Sequence, residues 1–120
     1  MANKHEVKVG RAYDARARGD GARVLVDRIW PRGLSKEKAD LDEWCKLVAP
    51  STALRKWYSH DPELFEEFRG RYRAELDEPG RAEALQHLRD LAKRRNLTLL
   101  TATKQADISE AAVLADLLGN

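Results

Sequence analysis

Reactive side chains are concentrated directly after the most apolar segment of the sequence. Residues 23–29 read Arg-Val-Leu-Val-Asp-Arg-Ile, and residues 30–36 continue Trp-Pro-Arg-Gly-Leu-Ser-Lys. A strand that only completes a sheet does not need such a polar ending. Arginine holds planar oxyanions through a fixed fork of N–H donors, and a turn after Gly33 offers backbone N–H groups as well. The segment therefore predicts a binding site for a small anion, which could be a phosphate, a nucleotide or a carboxylate.

A second polar strand end lies far away in the sequence. Residues 97–101, Leu-Thr-Leu-Leu-Thr, are typical of a buried strand, and Ala-Thr-Lys follows them. Ligands of open α/β sheets bind beyond the carboxyl ends of parallel strands, so two parallel strands would open on one edge. The residues predicted to line this edge and bind the ligand are Arg28, Trp30, Arg32, Ser35, Lys36, Thr101 and Lys104.

Asp27 is the acid of the first strand end. By the alternation of a strand it shares a face with Leu25 and Ile29, so we expect it to be buried. Buried charges occur both at functional sites and in structural ion pairs. Asp27 is thus a candidate catalytic group, and the alternative is an ion pair that only holds the fold together. The possible partners for that ion pair are Arg28, Arg32 and Arg55.

Histidine and cysteine offer further candidates. His60 precedes Asp61 at a helix start and could act as a general acid or base, although a histidine at such a place is often only packed or solvated. Cys45, the single cysteine, lies on an apolar segment and is expected to be buried and unreactive. The histidines lack metal-ligand spacing, and no glycine-rich phosphate loop is present. We therefore predict neither a metal nor a cofactor.

The elements that must position these side chains alternate along the chain. Apolar patterns predict strands at 6–9, 23–29 and 97–101. Helix starts are expected at Ser35, at Ser51 or Thr52, at Asp61-Pro62 and at Pro79. Asp107 and Glu110 have the spacing of a capping box for a final helix. Alternating strands and helices predict an α/β fold, with one compact domain over residues 1–120. Its mainly parallel sheet would have three or four strands, with helices packed around it.

Composition limits the classes of function. The 120 residues carry a net charge of only +2, with basic and acidic side chains interleaved. A nucleic-acid role through Arg11, Arg16, Arg18 and the basic helix ends is therefore disfavoured, but it stays open as an alternative. An interaction module without a ligand is another alternative. No segment has the length of a membrane span or the pattern of a signal peptide, so we expect a cytoplasmic protein; the oligomeric state is not predicted.

The segment at 23–33 resembles the signature of the YeaO-like bacterial proteins, a family with a domain of unknown function (the 488 family). The resemblance continues through Trp44-Cys45-Lys46, Ala49-Pro50-Ser51, residues 54–58, His60-Asp61-Pro62 and residues 68–76. It implies a cytoplasmic bacterial α/β protein without an established activity. Some members carry a transcription-regulator label, but no helix-turn-helix pattern supports it here. Members often have an aromatic residue where this chain has Thr101, and Asn-His-Ala where it has Ser109-Glu110-Ala111, which puts a shared activity in doubt.

Overall fold

Four short parallel strands form the centre of the molecule. The computed structural model describes residues 5–119. The strands are β1 (Val7–Arg11), β2 (Ala22–Leu25), β3 (Glu43–Trp44) and β4 (Leu97–Thr101). They lie in the order β1-β4-β2-β3, and every neighbouring pair is parallel. The predicted α/β fold with a small parallel sheet is confirmed.

β4 occupies the middle of the sheet and is buried along its whole length. In the register, Leu99 pairs with Val9 of β1 on one side and with Val24 of β2 on the other. Its continuous apolar sequence matches this position, since a strand covered on both faces needs no polar alternation. The parallel pairing of β2 and β4 brings their carboxyl ends to one edge.

Five helices complete the fold, namely α1 (Lys36–Ala39), α2 (Thr52–Tyr58), α3 (Phe65–Glu75), α4 (Pro79–Arg94) and α5 (Glu110–Leu118). The predicted starts of the first four are confirmed. Ser35 and Ser51 each accept a hydrogen bond from the backbone N–H three residues later, at 3.1 Å. Asp61 caps a single 3-10 turn that leads into α3, and a proline opens α4. Within residues 5–119, no helix combines the length and the apolar character needed to span a membrane.

Different elements pack against the two faces of the sheet. Val24, Val26, Leu97 and Leu99 belong to the main core, which also contains the buried side chains of α2, α3, α4 and α5. On the opposite face, Leu25 and Leu100 join a smaller cluster with Ala12, Trp30, Leu34, Leu41 and Trp44. Loops rather than long helices therefore cover the second face.

β2 is shorter than the predicted strand at 23–29. The N–H of Val26 still donates to the carbonyl of Leu100 at 3.1 Å, but the chain then leaves the sheet. Ile29 is 58% exposed, which contradicts its predicted place on a buried face. The neighbouring strands end at Trp44 and Thr101, so the backbone beyond Val26 has no strand partner. Partner length, which the local pattern does not contain, sets where β2 ends.

The predicted capping box at the final helix is also wrong. Asp107 lies in a separate 3-10 turn, Ala106–Ile108, and Ser109 is the residue that precedes α5. The Ser109 hydroxyl donates to the carbonyl of Ala106 at 2.6 Å instead of capping the helix. Glu110 becomes the first residue of α5, and its carboxyl is free to face the sheet edge.

A buried ion pair stabilises the start of β2. Arg23 is 1% exposed, and its Nη1 lies 2.9 Å from Asp20 Oδ2. The same guanidinium donates to the carbonyls of Asp14, Ala39 and Asp40 at 2.9 to 3.1 Å. Four of the five N–H groups of this guanidinium therefore donate to the protein, and they connect β2 to the segments around Asp14 and Asp40.

Candidate functional site

A cavity of about 400 Å³ opens where β2 and β4 end. Pockets that hold small molecules measure roughly 300–1,000 Å³. The lining residues come from the two strand ends, from α2 and the segment after it, and from α3 and α5. They are Asp27, Arg28, Ile29, Trp30, Pro31, Arg32, Pro50, Arg55, Tyr58, His60, Phe68, Thr101, Ala102, Thr103 and Glu110. We call this the strand-end cavity.

Most of the residues predicted for the site line this cavity. Those that do are Asp27, Arg28, Trp30, Arg32, His60 and Thr101. Ser35, Lys36 and Lys104 lie outside it. Ser35 caps α1, Lys36 is the exposed first residue of that helix, and Lys104 is exposed. The parallel strand ends therefore bring together the two distant segments, but not the residues that follow them.

Asp27 is held at the floor of the cavity by the backbone of the neighbouring strand end. Its Oδ2 accepts a hydrogen bond from the N–H of Ala102 at 2.8 Å, and its carbonyl accepts one from Trp44 Nε1 at 2.7 Å. Its Oδ1 is buried and accepts no hydrogen bond within residues 5–119 as long as the neighbouring acids are ionised. The alternative ion pair with Arg28, Arg32 or Arg55 does not form in this part of the chain.

Glu110 supplies the missing partner. Burial raises the pKa of this carboxyl well above its usual range, and the adjacent Asp27 carboxylate raises it further through a hydrogen bond and through repulsion. Arg55 opposes the shift but is a smaller influence. The raised pKa favours the protonated form of Glu110, whose O–H can donate to the Asp27 carboxylate. Glu110 is not among the site residues predicted from the sequence, although a departure from the family pattern is expected at this position.

Three arginines at the cavity have no anionic partner. The side chains of Arg28, Arg32 and Arg55 are exposed, and within residues 5–119 none of them makes an ion pair or donates a hydrogen bond. Arg16, in contrast, lies 2.8 Å from Asp40 and 3.2 Å from Asp42. The guanidinium groups at the cavity therefore remain free to bind an anion from solution.

The wall that carries His60 has an unusual backbone. Ser59 and His60 follow one another in the left-handed region, with φ of 45° and 57°, and neither is glycine. This conformation costs roughly 1–2 kcal/mol per residue, and such strain is often found at functional sites. The Asp61 carboxylate accepts the N–H of Glu63 at 3.0 Å. It therefore serves as a helix cap.

Aromatic side chains form the apolar part of the lining. Trp30 packs edge-to-face against Trp44, with ring centroids 5.3 Å apart, and its Nε1 donates to the carbonyl of Leu34 at 2.6 Å. Tyr58 stacks on Phe68 at 4.2 Å and donates to the carbonyl of Ile108 at 2.6 Å. Burial raises the pKa of Tyr58 to about 12, so its hydroxyl stays protonated. These contacts give the cavity rigid aromatic sides.

A neighbouring depression is larger, about 570 Å³, but its charged groups are engaged. Arg81 donates to the carbonyl of Ala49 at 2.9 Å and to Glu78 at 2.7 Å. The ammonium of Lys46 lies 4.1 Å from the centre of the Trp44 ring. Only Arg28, which borders both depressions, is unpaired there, so we consider the strand-end cavity the better candidate.

The other candidate residues are committed to structure. Arg11 donates to the carbonyl of Ala102 at 3.3 Å and lies over the Tyr13 ring. Arg16 forms ion pairs with acids. Two of the arginines considered for nucleic-acid binding therefore already have protein partners. Cys45 is buried, as predicted, and burial raises the pKa of its thiol to about 11. Within residues 5–119, no three His, Cys, Asp or Glu side chains cluster in a way that could hold a metal ion.

Comparison with known proteins shows which family this chain belongs to. A family model described as the inactive DUF488-N3 subclade matches residues 6–120. The chain belongs to this subclade. It is 42% identical to the Uncharacterized protein YeaO of Escherichia coli over 112 residues, which cover 93% of this chain and 96% of YeaO. It is 48% identical to the Uncharacterized proteins Rv3073c of Mycobacterium tuberculosis and Mb3100c of Mycobacterium bovis over 118 residues, 98% of each chain. No solved structure matches significantly.

The resemblance to the YeaO-like proteins is thus confirmed, and the chain is a bacterial protein of a family of unknown function. The departure at Ser109-Glu110-Ala111 now has a place in the fold. It coincides with the start of α5, where Glu110 meets Asp27. The position at which we expected a departure from the family pattern therefore lines the candidate site.

Proposed function

We propose that this protein binds a small cytoplasmic anion in the strand-end cavity. The observation that carries the proposal is the set of three guanidinium groups, on Arg28, Arg32 and Arg55, that border one cavity and make no ion pair or hydrogen bond within residues 5–119. Fork-shaped donors of this kind fit phosphate and carboxylate groups. They come from two separate segments, so a single ligand would connect the end of β2 to α2.

The charge balance of the lining supports the same conclusion. Asp27 would repel an anion, but its Oδ2 accepts the Ala102 N–H, and the raised pKa of Glu110 favours a protonated carboxyl beside it. Because the raised pKa of Glu110 favours its neutral form, less negative charge opposes the three guanidinium groups. The cavity therefore attracts negative charge even though two acids lie at its floor.

Binding without turnover is the activity we favour. The matching family is described as inactive, and the Asp61 carboxylate that could orient His60 is occupied as a helix cap. In this proposal Asp27 shapes the floor and His60 forms part of the wall. Trp30 flanks the ligand, and the arginines hold its anionic group.

Isothermal titration with inorganic phosphate and with ribose 5-phosphate, at low and at moderate salt, tests the proposal. Losing one charged hydrogen bond costs about 1.5–3 kcal/mol, so Arg32→Ala and Arg55→Ala should each weaken binding by about tenfold or more. Arg73→Ala is the matched control, because Arg73 is exposed on α3 and does not line the cavity. If neither ligand binds, or if Arg73→Ala weakens binding as much as Arg55→Ala, the proposal is wrong.

A further inference from the structure

We propose that the strand-end cavity receives an acidic side chain of a partner protein, from a segment with apolar residues on both sides of that acid. The inference rests on the proposed function, because it takes Arg28, Arg32 and Arg55 as the groups that hold the anion. It adds what carries the anion and which neighbouring surface the partner covers.

Exposed apolar side chains lie beside the same arginines. In the part of the chain that the structure describes, the exposed large hydrophobic residues are Tyr13, Ile29 and Leu47. Ile29 lines the strand-end cavity next to Arg28, and the Tyr13 hydroxyl donates to the carbonyl of Arg32 at 2.8 Å. Leu47 lines the neighbouring depression together with Arg28. Single exposed hydrophobic residues are common, but here all three lie next to unpaired cations.

The packing of the fold does not require an apolar side chain at position 29 or at position 47. Leu47 is 72% exposed in a 3-10 turn, Lys46–Val48, and Val48 is the residue of that turn that is buried in the main core. Ile29 is 58% exposed because β2 has already ended. Both side chains present apolar surface to water, so a partner that covers them is stabilised by burying it.

An occupant that covers both side chains must be larger than a free metabolite anion. Arg28 borders the cavity of about 400 Å³ and also the depression of about 570 Å³, so the two adjoin at this residue. Phosphate bound in the cavity would leave Leu47 in water. A segment of polypeptide that crosses Arg28 can contact Ile29 with one side chain and Leu47 with another, and it can place an acid between them.

The charges of the two depressions favour an acidic partner. Their linings contain three carboxyl groups and five basic side chains, namely those of Arg28, Arg32, Lys46, Arg55 and Arg81. One of the carboxyl groups, on Glu78, is already paired with Arg81 at 2.7 Å. Complementary charge steers a partner and fixes its register. A flat bilayer surface fits two adjoining depressions less well than a segment of chain does, so we favour a protein partner over an anionic membrane.

Isothermal titration with three peptides tests the inference. The probe is an acetylated and amidated peptide with two aspartates in the middle and two leucines on each side. One matched peptide has asparagines in place of the aspartates, and the other has serines in place of the leucines. We expect the wild type to bind the probe at least about tenfold more tightly than either matched peptide, because burying a leucine and pairing a charge each contribute about that factor.

Two variants and one control separate the surface from the anion site. Leu47→Ser should weaken binding of the probe by about tenfold and leave the affinity for inorganic phosphate unchanged, because Leu47 does not line the strand-end cavity. Arg55→Ala should weaken the binding of both. Ala53→Ser is the matched control, since Ala53 is exposed on α2 and lines neither depression, and it should alter neither affinity.

The possible results have different consequences for the two proposals. Phosphate binding without a preference among the three peptides would overturn the partner segment and leave the anion site standing. Probe binding that Leu47→Ser leaves unchanged would overturn the partner surface. If vesicles of phosphatidylglycerol bind and Leu47→Ser releases them, while no peptide binds, the surface serves a membrane and the inference is wrong. If neither phosphate nor the probe binds, both proposals fail together.

Discussion

Raising the pH above about 5 should destabilise the wild-type protein relative to its Glu110→Gln variant. In the folded state, burial and the neighbouring Asp27 hold the pKa of Glu110 well above its ordinary value of 4.5. The unfolded chain has no such environment and releases this proton near the ordinary pKa. Stability linked to Glu110 is therefore complete below the unfolded pKa and falls as the pH rises toward the folded pKa.

The size of this change in stability follows from the single proton that Glu110 binds or releases. Where the folded state binds one proton more than the unfolded state, the free energy of unfolding falls by about 1.4 kcal/mol per pH unit. Two pH units between the unfolded and the folded pKa would cost up to about 3 kcal/mol, which is a large part of the roughly 5–15 kcal/mol that stabilises a typical domain. Arg55 and the partial access of Glu110 to the cavity reduce the effect, so this value is an upper limit.

Urea unfolding followed by circular dichroism, from about pH 5 to about pH 8, measures the effect. The series begins at about pH 5 because the pKa values of Asp20, Asp40 and Asp42 are lowered, and these acids lose their stabilising charge only at lower pH. Glu83→Gln is the control, since Glu83 is exposed on α4. The stability difference between Glu110→Gln and the wild type should grow with pH, while that of Glu83→Gln stays flat. Parallel curves for Glu110→Gln and the wild type would refute the reasoning.

Two further predictions concern buried polar groups away from the cavity. Arg23→Met should lower the free energy of unfolding by about 3 kcal/mol, because it leaves the buried Asp20 carboxylate with Lys8 as its remaining ion-pair partner among the described residues. Arg73→Met, at an exposed position, should change it by less than about 0.5 kcal/mol in urea titrations. The Cys45 thiol, with its pKa raised to about 11, should react with an aromatic disulfide reagent at about pH 8 only as fast as the protein opens, and fully in denaturant; immediate reaction of one thiol per native chain would contradict its burial.

Features with local causes could be predicted from the sequence. Ser35, Ser51 and Asp61 each sit beside the N–H groups they cap, so their side-chain chemistry alone indicates a helix start. The meeting of two strand ends also followed from a general rule, since parallel strands present their carboxyl ends to one edge. That rule led to the strand-end cavity and to five of its lining residues, namely Asp27, Arg28, Trp30, Arg32 and Thr101.

Features that depend on distant parts of the chain could not be predicted from the sequence. Ile29 continues an apolar pattern, yet β2 ends earlier because its neighbours end. Asp107 has the spacing of a helix cap, but α5 begins later, directly after Ser109. This later start makes Glu110 the first residue of the helix, beside Asp27. Arg23 was placed in a strand but given no role, because its partners are an acid and three backbone carbonyls that no short sequence pattern connects to it.

The position of β4 has a consequence for how the protein is made on the ribosome. β4 separates β1 from β2 in the sheet but is translated after both of them. A nascent chain that ends before Leu97 has β1 without a partner and β2 paired only with the two residues of β3. Such a chain also lacks Ala102 and Glu110, which hold the Asp27 carboxylate. Truncated products should therefore expose unpaired strands and be prone to aggregation, and the ability to bind a ligand should emerge only when synthesis is almost complete.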